Sequence, residues 1–112
     1  MKTAAIYCRL STDSQEREGP SLERQREACV AKANELGYKV SDDFILTEAW
    51  TGTDIDRPKL NEVRDLIRQQ AIGALVCYSS DRLARYPIHI GIIGEESDKN
   101  GVELIFVTGI GL

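Results

Sequence analysis

A chain of 112 residues with 42% hydrophobic content is the size of one domain and can bury a core of its own. No apolar stretch approaches the roughly 20 residues that a membrane helix requires. No charged segment followed by an apolar one opens the sequence, so we expect a soluble, cytoplasmic protein. The net charge of −4 argues against a domain whose main task is to grip the DNA backbone.

The three cysteines, Cys8, Cys29 and Cys77, are widely separated in the chain. An odd number of cysteines without a Cys-x-x-Cys pair is not typical of a disulfide framework or of a zinc site. Cys8 and Cys77 fall within predicted strands, where a buried thiol behaves as a small hydrophobic group. We therefore expect reduced, buried thiols.

The N-terminal part of the sequence predicts a strand followed by a helix. Thr3–Leu10 is apolar with little alternation, which is typical of a strand that is covered on both faces. Gly19-Pro20 marks a loop. Ser21 is a suitable N-cap for a helix over Leu22–Leu36, and Gly37 follows at the expected C-terminal position.

Strands and helices go on alternating after Gly37. Asp56 is typical of an N-cap, and Pro58 is typical of the first turn of a helix. The remaining predicted elements are a strand over Phe44–Thr47, a helix over Pro58–Gln70, a strand over Ile72–Tyr78, a loop or short helical turn over Ser79–Tyr86, a helix over Ile88–Lys99 and a strand over Val102–Val107. The order βαβαβαβ predicts an α/β three-layer sandwich, with a central, mostly parallel four-stranded sheet flanked by helices.

Polar side chains follow three of these strands. Ser11 follows the first strand, Thr51 to Asp54 follow the second, and Asp81 to Arg85 follow the third. In open parallel sheets, functional sites form at the carboxyl ends of the strands. We therefore expect these three segments to meet at one edge of the sheet.

Ser11 is the candidate nucleophile. Arg9 and Tyr7 share its side of the strand by alternation, and a charge near the end of an apolar strand needs a partner or a substrate. A guanidinium group can bind two phosphate oxygens at once, so a hydroxyl among arginines suits attack on a phosphodiester. Tyr7 either packs in the core or reaches the site with its hydroxyl. The only histidine, His89, is expected at the surface, so no general base stands out for Ser11.

The other candidates each have a structural and a functional interpretation. Asp81, Arg82 and Arg85 are either a solvated charge cluster or a phosphate-binding group in which Asp81 supports an arginine or moves a proton. Arg57 is either an exposed residue of the first helical turn or part of the site. Gln25 is placed on the exposed face of its helix, facing solvent unless it turns back toward the site.

Together these segments resemble the catalytic domain of the serine recombinases, the resolvase and invertase family of site-specific DNA recombinases. The matching segments are Tyr7-Cys8-Arg9-Leu10-Ser11-Thr12, Ser21-Leu22-Glu23-Arg24-Gln25, Thr51-Gly52-Thr53-Asp54-Ile55-Asp56-Arg57-Pro58 and Asp81-Arg82-Leu83-Ala84-Arg85. They occur in the family's order, and the resemblance covers nearly the whole chain. The segment Glu16 to Pro20 resembles the large serine recombinases more than the small resolvases.

The resemblance implies a mechanism. Ser11 would attack the scissile phosphodiester and form a 5′-phosphoserine link to DNA, freeing a 3′-hydroxyl. The other implied roles are phosphate binding by Arg9, Arg82 and Arg85, proton transfer or arginine placement by Asp81, and support of the site by Tyr7, Gln25 and Arg57. The covalent link conserves the energy of the phosphodiester, so the resemblance implies no nucleotide cofactor, and it implies no metal.

The family's long dimerisation helix and DNA-binding region have no counterpart in these 112 residues, so we expect residues 1–112 to be the catalytic domain alone. DNA is then the partner of the full-length protein. Family members form dimers or tetramers, whereas this chain without the long helix is expected to be monomeric. Two alternatives stay open: a non-enzymatic α/β regulatory or protein-interaction domain with scattered polar residues, and a domain that binds a nucleotide or phosphate ligand in the same crevice.

Overall fold

The central sheet has four strands, and they all run parallel. The computed structural model describes residues 2–10, 19–50 and 54–108. The strands are β1 (Thr3–Leu10), β2 (Lys39–Ala49), β3 (Ala74–Cys77) and β4 (Glu103–Phe106), and the helices are α1 (Leu22–Glu35), α2 (Pro58–Arg68), α3 (Ser80–Leu83) and α4 (Pro87–Lys99). Their order across the sheet is β2-β1-β3-β4. The predicted fold class is confirmed.

The two faces of the sheet carry separate hydrophobic cores. Ala5 and Tyr7 of β1 pack on the face covered by α2 and α4, with Leu60 and Ile93. The alternate residues of β1 pack on the opposite face against α1, where Cys8 lies in one core with Cys29. This double burial explains why β1 is apolar throughout, since both of its faces are covered. All three cysteines are buried and free of disulfides, as expected.

The second strand is longer than the sequence predicts. Phe44–Thr47 was expected, whereas β2 extends from Lys39 to Ala49. Its first part is polar, and its pairing with β1 shifts register between Ala4 and Ile6. Because β2 is at the edge of the sheet, polar residues can stay in the strand without being buried, and this hides the strand from a pattern of apolar residues.

The helix starts follow local sequence signals only in part. Ser21 caps α1, and its Oγ accepts a hydrogen bond from the Arg24 amide at 3.2 Å. Pro58 opens α2 as predicted, but the N-cap is Arg57 and makes no side-chain cap. The prediction of Asp56 as N-cap was wrong. Its carboxylate instead accepts a hydrogen bond from the Asn61 side-chain amide at 2.8 Å.

The other boundaries differ from the predictions by one or two residues. The predicted helices over Leu22–Leu36 and Pro58–Gln70 end earlier, the strands over Ile72–Tyr78 and Val102–Val107 are shorter, the helix over Ile88–Lys99 begins at Pro87, and Ser79–Tyr86 contains the short helix α3. Helix ends and strand ends are the parts that local pattern defines least well. No helix in the described part of the chain is long and apolar enough to cross a membrane.

Candidate active site

Arg9 lies at the carboxyl end of β1 and connects the segments that follow the neighbouring strands. Its side chain is buried, with the residue 3% exposed. Nη1 donates to the Trp50 carbonyl at 3.0 Å, just beyond β2. Nη2 donates to the Asp81 carbonyl at 2.6 Å and Nε to the Arg82 carbonyl at 3.4 Å, both in α3 after β3. Arg9 therefore joins the end of β1 to Trp50, which follows β2, and to α3, which follows β3.

Arg57 is also buried, although one interpretation of the sequence placed it at the surface of the first helical turn. It is 3% exposed. Nε donates to the Asp54 carbonyl at 3.0 Å and Nη2 to the Leu83 carbonyl at 3.1 Å. Nη1 donates to the Tyr7 hydroxyl at 2.9 Å. Arg57 thus links the loop after β2 to α3 and to β1.

Tyr7 connects Arg57 to a carboxylate that the sequence did not single out. The Tyr7 hydroxyl accepts from Arg57 and donates to Glu48 Oε2 at 2.5 Å. Burial raises the pKa of Tyr7 well above its ordinary value; the charge of Arg57 opposes this rise, and the hydrogen bond to Glu48 adds to it. The phenol therefore stays protonated and acts as a neutral bridge between a cation and an anion.

Glu48 is the residue that sequence reasoning missed. Its Oε1 accepts from the Lys59 amide at 3.1 Å, and its Oε2 accepts from the Leu60 amide at 3.2 Å. These are free amides of the first turn of α2, where an anion is favoured. No signal in the sequence pointed to it, because Asp56 was expected to cap α2; the N-cap in the structure is Arg57, whose side chain cannot accept these bonds.

Gln25 is fully buried, so its placement on a solvent-facing side of the helix was wrong. Its Oε1 accepts from the Arg9 amide at 3.2 Å, and its Nε2 donates to the Arg9 carbonyl at 3.0 Å and to the Pro20 carbonyl at 3.1 Å. The side chain completes the main-chain hydrogen bonding of Arg9 at the end of β1. It also holds Pro20, the residue that leads into α1, against that strand end.

The third arginine at this edge is Arg82, which is 6% exposed. Its Nε lies 3.9 Å from Asp81 Oδ2. The Asp81 side chain is 70% exposed, and its Oδ1 accepts from the Ser79 hydroxyl at 2.5 Å. Arg85 is exposed, two residues beyond α3. Asp81 therefore lies beside Arg82 on its solvent side.

Ser11 and the segment 51–53 lie outside the described residues. Ser11 is two residues after Arg9 in the chain, and the carbonyl of Asp54, which follows the segment 51–53, accepts a hydrogen bond from Arg57 Nε. His89 is half-buried in α4, with its ring centroid 5.8 Å from that of Tyr86. Within residues 2–10, 19–50 and 54–108, no three His, Cys, Asp or Glu side chains form a group that could hold a metal ion.

The arrangement concentrates positive charge at the carboxyl end of the sheet. Arg9, Arg57 and Arg82 are all at least 94% buried. The carbonyl oxygens that hold Arg9 and Arg57 are neutral, so those bonds fix the guanidinium groups without cancelling their charge. Guanidinium groups fixed in this way present donors that suit an anion such as a phosphate group.

Comparison with known proteins identifies the family. Residues 4–111 match the family described as "Resolvase, N terminal domain". The chain belongs to this family. A protein of Bacillus subtilis (strain 168), named provisionally as a DNA recombinase, is 37% identical over 105 residues, which are 94% of this chain and 20% of that protein. The chain thus spans about a fifth of the length of this relative.

Solved structures agree with this assignment. The N-terminal catalytic domain of TP901-1 integrase is 28% identical with a TM-score of 0.79, and the match covers 96% of this chain and 78% of that one. The C-terminal catalytic domain of ISC1926 TnpA, an IS607-like serine recombinase, is 28% identical with a TM-score of 0.78, covering 94% of this chain and 70% of that one. The resemblance to serine recombinases is therefore confirmed at the level of family and fold.

Proposed function

We propose that this resolvase-family chain is the catalytic domain of a site-specific recombinase that cuts and rejoins DNA through a covalent link at Ser11. The observation that carries the proposal is the set of buried guanidinium groups of Arg9, Arg57 and Arg82 at one end of the sheet. Arg9 belongs to the same strand that leads to Ser11. Cationic groups held in place before the substrate arrives are suited to stabilise the charge of a phosphoryl transition state.

In the proposed reaction, Ser11 Oγ attacks the phosphorus of the scissile phosphodiester. The new bond joins Oγ to phosphorus, the bond from phosphorus to the 3′-oxygen breaks, and the 3′-oxygen leaves as a hydroxyl after taking up a proton. The proton of the Ser11 hydroxyl passes to an acceptor at the site or to water. Rejoining is the reverse attack by a 3′-hydroxyl on the phosphoserine, so the number of phosphodiester bonds is unchanged and no nucleotide cofactor is consumed.

The arginines have distinct positions in this proposal. Arg9, Arg82 and Arg85 bind the oxygens of the scissile phosphate, and Asp81 orients Arg82 or takes part in proton transfer. The network of Tyr7, Arg57 and Gln25 supports the site from behind, because each of these side chains is buried and bonded to the main chain or to a neighbouring side chain of the site. Guanidinium groups are preferred here because their planar fork matches phosphate geometry.

DNA is the proposed substrate, although the net charge of −4 is unfavourable for holding a polyanion. We propose that DNA affinity in the complete recombinase comes from a region outside these residues and that subunits associate as dimers or tetramers during strand exchange. If the chain were a non-enzymatic domain, we would expect its polar residues to be scattered over the surface. Instead Arg9 and Arg82 lie together, with Arg9 Nε 3.4 Å from the Arg82 carbonyl. That contact favours the recombinase.

The test is the detection of a protein–DNA adduct with the intact protein. Sheared genomic DNA from the source organism is incubated with the protein, the reaction is stopped with detergent, and the DNA ends bound to protein are sequenced to find the cleavage site. A nicked duplex of that site then traps the intermediate. Peptide mapping should place the adduct on Ser11.

Three variants sharpen this test. Ser11→Ala should give no adduct, because it removes the atom that forms the bond. Arg82→Ala should give much less, because it removes charge from the transition state while leaving the nucleophile in place. Ser41→Ala, a hydroxyl on the polar part of β2, is the matched control and should react like the wild type. An adduct that persists in Ser11→Ala would show that the nucleophile is another residue.

A further inference from the structure

Gly19 lies directly against the guanidinium group of Arg82. Its φ is +130°, a backbone conformation that residues with a side chain rarely adopt. A Cβ built on Gly19 would overlap Arg82 Nη2 and come within 3.5 Å of Cζ. The missing side chain of residue 19 therefore leaves the space that the Arg82 guanidinium occupies.

The main chain that follows Gly19 is held by a hydrogen bond at Pro20. The next residue, Pro20, has a restricted φ, and its carbonyl accepts from Gln25 Nε2 at 3.1 Å. The same nitrogen donates to the Arg9 carbonyl at 3.0 Å. The segment that carries Gly19 is thus tied to the end of β1. Among the described residues, the atoms that a Cβ at residue 19 would meet are those at the end of the Arg82 side chain.

We propose that Gly19 is a positioning residue: because it has no side chain, it leaves room for the Arg82 guanidinium beside residue 19 and so sets where that guanidinium lies at the site. This inference rests on the proposed function, in which Arg82 binds the scissile phosphate. A side chain at residue 19 displaces the guanidinium and leaves the sheet and helices intact, because the end of a long side chain yields more easily than backbone. The site then retains the charge of Arg82 but in the wrong place.

Gly37 provides a matched control. It has a φ of +88°, so an alanine there meets the same class of backbone strain as an alanine at residue 19. Apart from its chain neighbours, no atom of the described residues lies within 4 Å of a Cβ built on Gly37. Comparing Gly19→Ala with Gly37→Ala therefore separates backbone strain, which both variants share, from displacement of Arg82, which only the first causes.

The first measurement is the single-turnover rate of adduct formation by the intact protein on the nicked duplex. Gly19→Ala should slow it on the order of 10²-fold, the effect expected when a catalytic group moves by about 1 Å. Gly37→Ala should stay within about twofold of the wild type, the usual error of additivity between independent sites. In the Arg82→Lys background, where a compact ammonium replaces the guanidinium, adding Gly19→Ala should change the rate by no more than about twofold.

The second measurement does not depend on activity. The Nε–Hε signal of Arg82 in a ¹⁵N-labelled protein, assigned by its loss in Arg82→Lys, should shift in Gly19→Ala and stay unchanged in Gly37→Ala. Equal rates for the two glycine variants, or an unchanged Arg82 signal, would overturn the inference. So would a Gly19→Ala protein that fails to fold while Gly37→Ala folds, since the glycine would then serve the backbone alone. If the Arg82 signal shifts in Gly19→Ala but the wild type forms no adduct, the proposed function is overturned. The placement of Arg82 by Gly19 is then still supported.

Discussion

Truncating Glu48 to alanine tests the buried network behind the candidate site. Its carboxylate accepts three hydrogen bonds, from the Tyr7 hydroxyl and from the amides of Lys59 and Leu60. In Glu48→Ala, water can replace the carboxylate at the half-buried start of α2, so the loss there is that of a helix cap, about 1 kcal/mol. The Tyr7 hydroxyl is fully buried, and leaving its proton without an acceptor costs about 1–3 kcal/mol. The free energy of unfolding should fall by about 2–4 kcal/mol in total.

Urea unfolding followed by circular dichroism measures this loss. The midpoint concentration should fall with no change in the slope, since the surface exposed on unfolding is the same. Glu95→Ala, an exposed glutamate on α4, is the control and should change the free energy of unfolding by less than about 0.5 kcal/mol. Glu48→Gln keeps one acceptor oxygen, so its loss should lie between those of the wild type and the alanine variant.

A double-mutant cycle separates the two contributions. In the Tyr7→Phe background no phenol is left without an acceptor, so Glu48→Ala should cost only the helix cap, about 1 kcal/mol. An equal cost of Glu48→Ala in both backgrounds would refute the role given to the Tyr7–Glu48 hydrogen bond. A total loss below about 1 kcal/mol would refute the whole network as a source of stability.

Two further predictions concern charge. The 112-residue chain alone should bind duplex DNA with a Kd on the order of 10⁻⁴ M or weaker at physiological salt, because its net charge is −4; sub-micromolar binding by fluorescence anisotropy would contradict this. Glu96 of α4 accepts hydrogen bonds from Arg64 of α2. These bonds, together with the charges of Arg64 and Arg68, lower the pKa of Glu96. A depressed pKa in the folded state contributes stability above the unfolded value of about 4.3 and loses it as the pH falls through the folded value. At pH 7 the melting temperature of the wild type should therefore be higher than that of Glu96→Gln. If this difference in melting temperature does not become smaller below about pH 4, the assignment is refuted.

Much of the fold was predictable from local pattern. The strand Thr3–Leu10 was placed at its observed bounds, because β1 lies between two cores and is apolar along its whole length. The parallel sheet followed from the alternation of strands and helices, since parallel neighbours need a crossover between them. The start of β2 escaped prediction because an edge strand can remain polar.

The polar network was harder to predict because its bonds join distant parts of the chain. The helical pattern alone places Gln25 on an exposed face. Its partner is the main chain of Arg9, 16 residues earlier, which the pattern does not contain. Arg57 donates to Leu83, 26 residues later. Glu48 accepts a hydrogen bond from Tyr7, 41 residues earlier. Local propensity contains no information about such partners.

The sequence by itself determined the order of strands and helices, the parallel sheet, the family and the set of arginines near the strand ends. Those features depend on periodicity, turn residues and short motifs, which act over a few residues. Only the tertiary structure decided that Arg57 and Gln25 are buried, that Glu48 serves both Tyr7 and α2, and that Gly19 makes room for Arg82. These outcomes depend on which segments come together when the sheet and its helices assemble. Polar groups that become buried in this assembly are stable there only when they are hydrogen-bonded.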